Sequence, residues 1–283
     1  MMRILVTLIA LATALPCQAQ SAPPRQLDGP PGGRSGPPAD ELTVTIGVAP
    51  VLSPVWMGSR DMALSIYPDL RLNYGDVLFA SVPEGLGWNA VNTDGWRAGP
   101  LAKIRFGRDE EEGGSPFLIA GSSDALIGMG DVDATAEVGG FIEKRFGDRQ
   151  QWRARVEVRR GFGGHEGVVG DGSLSYQTRF GRTIASFGPR ATVASSDFMQ
   201  TFFGIDDGQA ARTGLARYDA KGGLLSYGVG GSAIHPLNRR SALTLFTSLE
   251  RLGEQAADSP LVEERGRRTQ FTIGLGYGFR FSL

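Results

Sequence analysis

Cysteine is almost absent: Cys17 is the only one in 283 residues, and it falls inside an N-terminal segment that reads as a secretory leader. Arg3, the apolar run from Ile4 to Leu15 and the small residue Ala19 give that form, so residues 1–19 are assigned as a signal peptide with cleavage after Ala19. Once the leader is removed, no thiol remains for a disulfide, a nucleophile or a thiolate metal site. Long apolar runs are missing too. Beyond the leader nothing approaches the ~18 consecutive apolar residues of a membrane helix, so a membrane-resident chain of this kind has to be a closed barrel. Excess charge is also lacking: the formal net charge is −1, which argues against a nucleic-acid binder. Histidine is scarce, with His165 and His235 as the two examples.

Glycine is abundant, 41 of 283 residues, about twice its usual ~7% share. It recurs inside alternating segments, where small side chains suit turns and a crowded inner face. Prolines gather in residues 20–41, with Pro23-Pro24, Pro30-Pro31 and Pro37-Pro38 among glycines and little that is apolar. That composition predicts a disordered periplasmic tail.

From Leu42 the chain alternates. Thr269, Phe271, Ile273, Leu275, Tyr277, Phe279 and Phe281 share one parity; Gln270, Thr272, Gly274, Gly276, Gly278 and Arg280 share the other. Successive side chains of a strand point to opposite faces, so this is a strand with one apolar side and one wet side. Trp96, Ala98, Pro100, Ala102, Ile104 and Phe106 alternate with Arg97, Lys103 and Arg105. A strand from Asp131 alternates Val132, Ala136, Val138 and Ile142 with Asp133, Glu137 and Glu143, and the next sets Trp152, Ala154, Val156 and Val158 against Arg153, Arg155, Glu157 and Arg159. Four charges in a row on one face suit a wet lumen lined with ion pairs. The expectation is an all-β, transmembrane, antiparallel up-and-down barrel over residues 42–283.

Short periplasmic and long extracellular connections are the rule for such barrels. Counting back from a periplasmic C-terminus puts 236–240, 181–182, 147–150 and 92–95 inside, and 253–266, 195–221, 163–170 and 107–129 outside. Splitting 76–91 near Pro83-Glu84-Gly85 gives about twelve strands, against about ten if 42–49 stays outside the barrel.

The lumen arginines Arg97, Arg105, Arg153, Arg155, Arg159 and Arg179 read either as a track for small anionic solutes or as partners of Glu137, Glu143 and Glu157. His165, near Asp131 and Asp133 at the outer rim, reads either as a hydrolase residue or as a loop histidine held by glycine turns. His235 lies at a periplasmic turn, too far away to join it. No cofactor or metal site is expected, and Ser259 carries no nucleophile motif.

Four blocks in order carry a family resemblance: Gly130-Asp131-Val132-Asp133-Ala134-Thr135; Gly163-Gly164-His165-Glu166-Gly167 with Gly170-Asp171; Asp197-Phe198-Met199-Gln200-Thr201-Phe202-Phe203-Gly204 with Tyr218-Asp219; and Asp258-Ser259-Pro260-Leu261-Val262. They resemble the MipA/OmpV family, and Asp131, Asp133, His165, Asp171, Asp197 and Asp258 are its motif loop residues here. The resemblance implies an outer-membrane address among outer-membrane lipids. It also implies a non-enzymatic scaffold joining a lytic transglycosylase to a murein synthase, with porin-like or adhesive roles among other members. The Phe281-Ser282-Leu283 end departs from the terminal aromatic usual in that family.

Overall fold

The computed structural model describes residues 41–111 and 115–282; the assigned leader and nearly all of the proline-rich segment lie outside them. Fourteen strands form one sheet. They are β1 (Leu42–Pro54), β2 (Met62–Tyr74), β3 (Leu78–Ser81), β4 (Gly85–Trp88), β5 (Val91–Thr93), β6 (Trp96–Arg105), β7 (Leu118–Ala120), β8 (Thr135–Phe146), β9 (Trp152–Gly163), β10 (Val168–Phe180), β11 (Thr183–Ala194), β12 (Gly223–Pro236), β13 (Ser241–Leu252) and β14 (Thr269–Ser282). Neighbours run antiparallel, and β1 pairs with both β2 and β14, with Val44 opposite Phe281 and Ile46 opposite Phe279. The sheet is therefore closed into a barrel of twelve strands, with β5 and β7 as short additions.

Alternation sets the two faces. Ile46, Leu70, Ile104, Val156, Val229 and Leu275 are exposed on the outside, forming the apolar belt that lipid contact demands. Their neighbours in sequence turn inward. Aromatic residues sit near the periplasmic strand ends, where Phe146 stacks on Trp152 with ring centroids 6.4 Å apart. Connections at that end are short, such as 181–182 between β10 and β11. No helix among the described residues is long and apolar enough to cross a membrane.

Two expectations need correction. The strand expected from Asp131 starts at Thr135 instead, because Val132 forms an isolated bridge to Arg108 and leaves the ladder. The outer loops, read from sequence simply as loops, also hold helices: α1 (Ser196–Phe203), α2 (Asp207–Thr213), α3 (Glu254–Ala257) and α4 (Pro260–Arg265). In α1, Phe198, Met199, Phe202 and Phe203 are all buried. Their spacing of one, four and five places them on one side of a helix, facing the barrel mouth. α2 begins with a capping box, in which Asp206 accepts from the Gln209 amide at 2.7 Å and Gln209 accepts from the Asp206 amide at 2.9 Å. α4 begins with Pro260 in its first turn, where a missing N–H costs nothing.

Candidate functional site: a paired lumen beneath an extracellular cap

The inward faces of β6, β8, β9 and β10 carry one continuous ion-pair network. Glu143 bonds Arg153 Nη2 at 2.6 Å, Arg155 Nη1 at 3.0 Å and Arg145 Nε at 3.2 Å. Glu157 takes Arg155 Nε at 2.8 Å, Arg159 Nη1 at 2.6 Å and Lys103 Nζ at 3.0 Å. Glu137 takes Arg105 and Arg159, the latter at 2.8 Å, and Asp171 closes the run through Arg159 Nη2 at 2.7 Å. Register explains part of this, since Glu143 lies directly opposite Arg155 on β8 and β9. Each glutamate collects two or three cations because a buried carboxylate is tolerated only when its lone pairs are filled. The Arg155 guanidinium also lies 4.1 Å from the centre of the Phe141 ring.

The six arginines considered as an anion track are not equivalent. Arg105, Arg153, Arg155 and Arg159 belong to this network. Arg97 lies at the periplasmic end, 3.5 Å from Asp76, and Arg179 is exposed near the same end. On the far wall the inward positions are mostly small. Arg190 and Glu250 form a looser pair at 3.4 Å, each about a quarter exposed. Phe246 fills space there over Gly274, where a Cβ would lie 2.2 Å from its ring, and it clusters with Ala49, Val51 and Tyr67.

Above this network the extracellular mouth is covered. One buried apolar cluster takes Val55 and Trp56 from the β1–β2 loop, Leu126 and Met129 from the loop after β6, and Phe198, Met199, Phe202, Phe203, Ala256, Ala257, Leu261 and Val262 from the helices. It also takes Ala63, Val169, Ala194, Leu225 and Leu252 from the upper ends of β2, β10, β11, β12 and β13. The helices are thus anchored on strand ends around the rim. Two polar locks reinforce the anchoring: Ser259 Oγ donates to the Phe203 carbonyl at 2.6 Å, and Arg108 Nη1 donates to the Phe202 carbonyl at 2.6 Å. Burial pushes the Arg108 guanidinium down to about 10, with Asp131 pulling it partly back.

His165 joins cap and lumen. Its ring is buried, with Nε2 3.1 Å from Glu137 Oε1, and its backbone N–H donates to Thr135 Oγ1 at 2.9 Å. Phe198 and Phe202 of α1 cover the ring at centroid distances of 4.9 and 6.0 Å. Gly161 is required beneath it, since a Cβ there would come within 2.3 Å of the imidazole. A buried histidine held by a glutamate and two phenyl rings offers a substrate no approach, and the hydroxyl of Ser259 is spent on the cap. His165 and Ser259 are thus engaged separately, the one with Glu137 and the other with the Phe203 carbonyl. His235 is elsewhere, bonded through Nδ1 to Thr183 Oγ1 at 2.8 Å.

The motif aspartates are dispersed. Asp171 holds Arg159 and accepts from Thr192 Oγ1 at 2.8 Å. Asp131 accepts from the Glu110 amide at 2.9 Å, Asp258 bonds Arg268 at 3.0 Å, Asp197 lies exposed in the first turn of α1, and Asp133 is exposed in the strand-entry loop. No group of three or more metal-ligating side chains occurs among the described residues. Sequence reasoning missed the cap itself, although the phenylalanine spacing of α1 and the Asp206/Gln209 box were legible signals.

The chain resembles curated proteins over part of their length. It is 34% identical over 87 residues to the outer membrane protein Omp26La of Vibrio anguillarum, covering 31% of this chain and 32% of that one. It is 32% identical over 100 residues to the outer membrane protein OmpV of Vibrio cholerae, covering 35% and 37%. The chain spans less than half the length of these relatives. Among solved structures it is similar to an outer membrane channel of Pseudomonas putida F1, with a TM-score of 0.47 and 13% identity over 90% of this chain and 100% of that one. The family model described as MltA-interacting protein MipA matches residues 46–281. That match covers nearly all of the barrel and its cap, and the protein is an outer-membrane β-barrel belonging to the MipA family.

Proposed function

We propose that this barrel works as a non-conducting, non-enzymatic adaptor that holds a lytic transglycosylase and a murein synthase at the inner surface of the outer membrane. The observation that carries this reading is the covered extracellular mouth, with an apolar cluster running from the strand ends of β2 and β10–β13 into α1, α3 and α4. An anion track along the lumen fits poorly with it, because four of the six arginines are already bonded to carboxylates. The family description names an interaction with MltA, which supports a binding role over a catalytic one.

A murein enzyme reaches the barrel from the periplasm. The described turns on that side are 75–77, 89–90, 94–95, 147–151, 181–182 and 237–240, and the proline-rich residues 20–41 are assigned to the same side as part of this proposal. Short turns offer little area, whereas an extended polar segment can wrap a partner. Removing residues 21–40 is expected to leave an assembled barrel that captures much less lytic transglycosylase in a pull-down. Full retention would move docking to the turns. Absence of binding by the intact protein would overturn the adaptor reading.

A further inference from the structure

The short-turn end of the barrel is charged unevenly. On the side of β2, β6 and β8 the cations are engaged: Arg71 bonds Asp69 at 2.8 Å, Arg97 lies 3.5 Å from Asp76, and Lys144 Nζ donates to the Asp94 carbonyl at 2.7 Å. From β10 to β14 they are not. Arg179 lies near the end of β10, Arg182 in the β10–β11 turn, Arg239 and Arg240 in the β12–β13 turn, and Arg280 near the end of β14. All five are exposed, and none has an ion-pair partner among the described residues. They form one arc: Thr183 Oγ1 and His235 Nδ1, 2.8 Å apart, join the first hairpin to the second, and the Arg280 amide donates to the Arg240 carbonyl at 2.6 Å. The neighbouring β8–β9 turn adds Arg149 beside Asp148, which leaves the excess unchanged.

Parity decides which way the arc faces. Residues directly opposite on paired strands share a face, and Arg179 lies opposite the buried Ile184, while Arg280 shares the parity of the inward Gly274 and Gly276. Phe180 and Phe281 take the other parity and are 68% and 45% exposed on the lipid side. Arg179 and Arg280 therefore face the aqueous mouth and not the membrane, with the turn arginines at its edge. Both turns are short and fixed: Gly181 supplies the φ of +59° that its turn requires, and Asn238 Oδ1 accepts from the Arg240 and Ser241 amides at 2.8 and 2.9 Å. A folded partner docks on an apolar centre, and Leu237 is the sole large apolar residue of the two turns. An extended polyanion needs no such centre.

We propose that this arc is an electrostatic docking rim for the murein layer itself, the carboxylate-bearing polymer beneath an outer-membrane barrel, with the guanidiniums taking the carboxylates of its peptide stems. Arginine forks match carboxylates with paired hydrogen bonds, and stiff turns lose little freedom on binding. Exposed charges act weakly one at a time, so the hold comes from several engaged at once along a repeating chain. The rim needs no open lumen and no murein enzyme, and it stands or falls independently of the adaptor reading.

The test sediments the folded full chain, in a non-ionic detergent, with isolated murein sacculi stripped of bound protein. The chain is expected in the pellet at low salt, less of it as sodium chloride is raised, and none with sacculi whose carboxylates have been amidated; neither comparison requires a variant. Arg182→Glu combined with Arg239→Glu and Arg240→Glu, checked for assembly by its gel shift, should lower retention about tenfold, the sum of a few exposed ion contacts. Reversal on the outer loops, Arg217→Glu with Lys221→Glu, should leave retention unchanged, as should removal of residues 21–40. Absence of the intact chain from the pellet, equal retention on amidated sacculi, full retention of the assembled triple variant, or an equal loss in the outer-loop variant would each overturn the proposal. Displacement by phosphatidylglycerol vesicles but not by soluble murein peptides would assign the arc to lipid head groups and overturn it as well.

Discussion

Glu157 shows what a single inward side chain does here. It is fully buried and bonds two arginines and a lysine. Removing its charge leaves three cations facing one another, and breaking a buried pair costs about 3 to 5 kcal/mol. Glu157→Gln is therefore expected to lower the urea midpoint for loss of the folded gel band, while Glu250→Gln, in a looser and wetter pair, should move it much less. Equal midpoints would mean that water, and not the glutamate, satisfies the cations. Much of this was legible in the sequence, since Arg153, Arg155, Glu157 and Arg159 alternate with apolar residues. The cross-strand partners were not, because a pairing such as Glu143 with Arg155 depends on where the β8–β9 turn sets the register. His165 was legible as a loop histidine between glycines. Its burial against Glu137 was not, because that follows from the loop folding back under α1.

At the scale of elements, β14 and α1 make opposite demands. β14 faces lipid with its odd residues, and a charge near its middle meets hydrocarbon. Leu275→Arg should cost about 2 to 4 kcal/mol or block assembly, while Gly276→Ser, on the inward face, should be tolerated; equal folded yields would mean that the facing is wrong. α1 buries its phenylalanines in the cap, and Phe-to-Ala changes in a core cost about 3 to 5 kcal/mol. Phe198→Ala combined with Phe203→Ala should therefore loosen the cap and speed trypsin cleavage at Arg212 or Lys221 on intact cells, with the barrel's gel shift retained. Unchanged cleavage would mean that the strand ends and α4 hold the cap without α1. The strands were legible because a period of two persists over 10 to 14 residues in most of them. The helices span only four to eight residues, too few turns for a 3.6-residue period to stand out among loop residues. The start of β8 shifted for a related reason: alternation continues through Val132, but that residue pairs with Arg108 outside the ladder.

On the scale of the whole molecule, twelve strands close into a barrel through β1, which pairs with both β2 and β14, and such a barrel resists unfolding. Unboiled protein should run faster than boiled protein on a detergent gel and fractionate with the outer membrane; extraction by urea without a shift would contradict the barrel. The address was legible because alternation and the four family blocks both point to it. The state of the lumen was not, since a track of arginines and a paired wall share one sequence pattern. Occlusion of the barrel by cap and ion pairs together is the core of the proposed function. Single-channel recording of the purified full chain in planar bilayers is the decisive measurement: an occluded barrel gives no conductance steps above baseline, and stable anion-selective steps whose selectivity Arg155→Glu reverses would show it to be open.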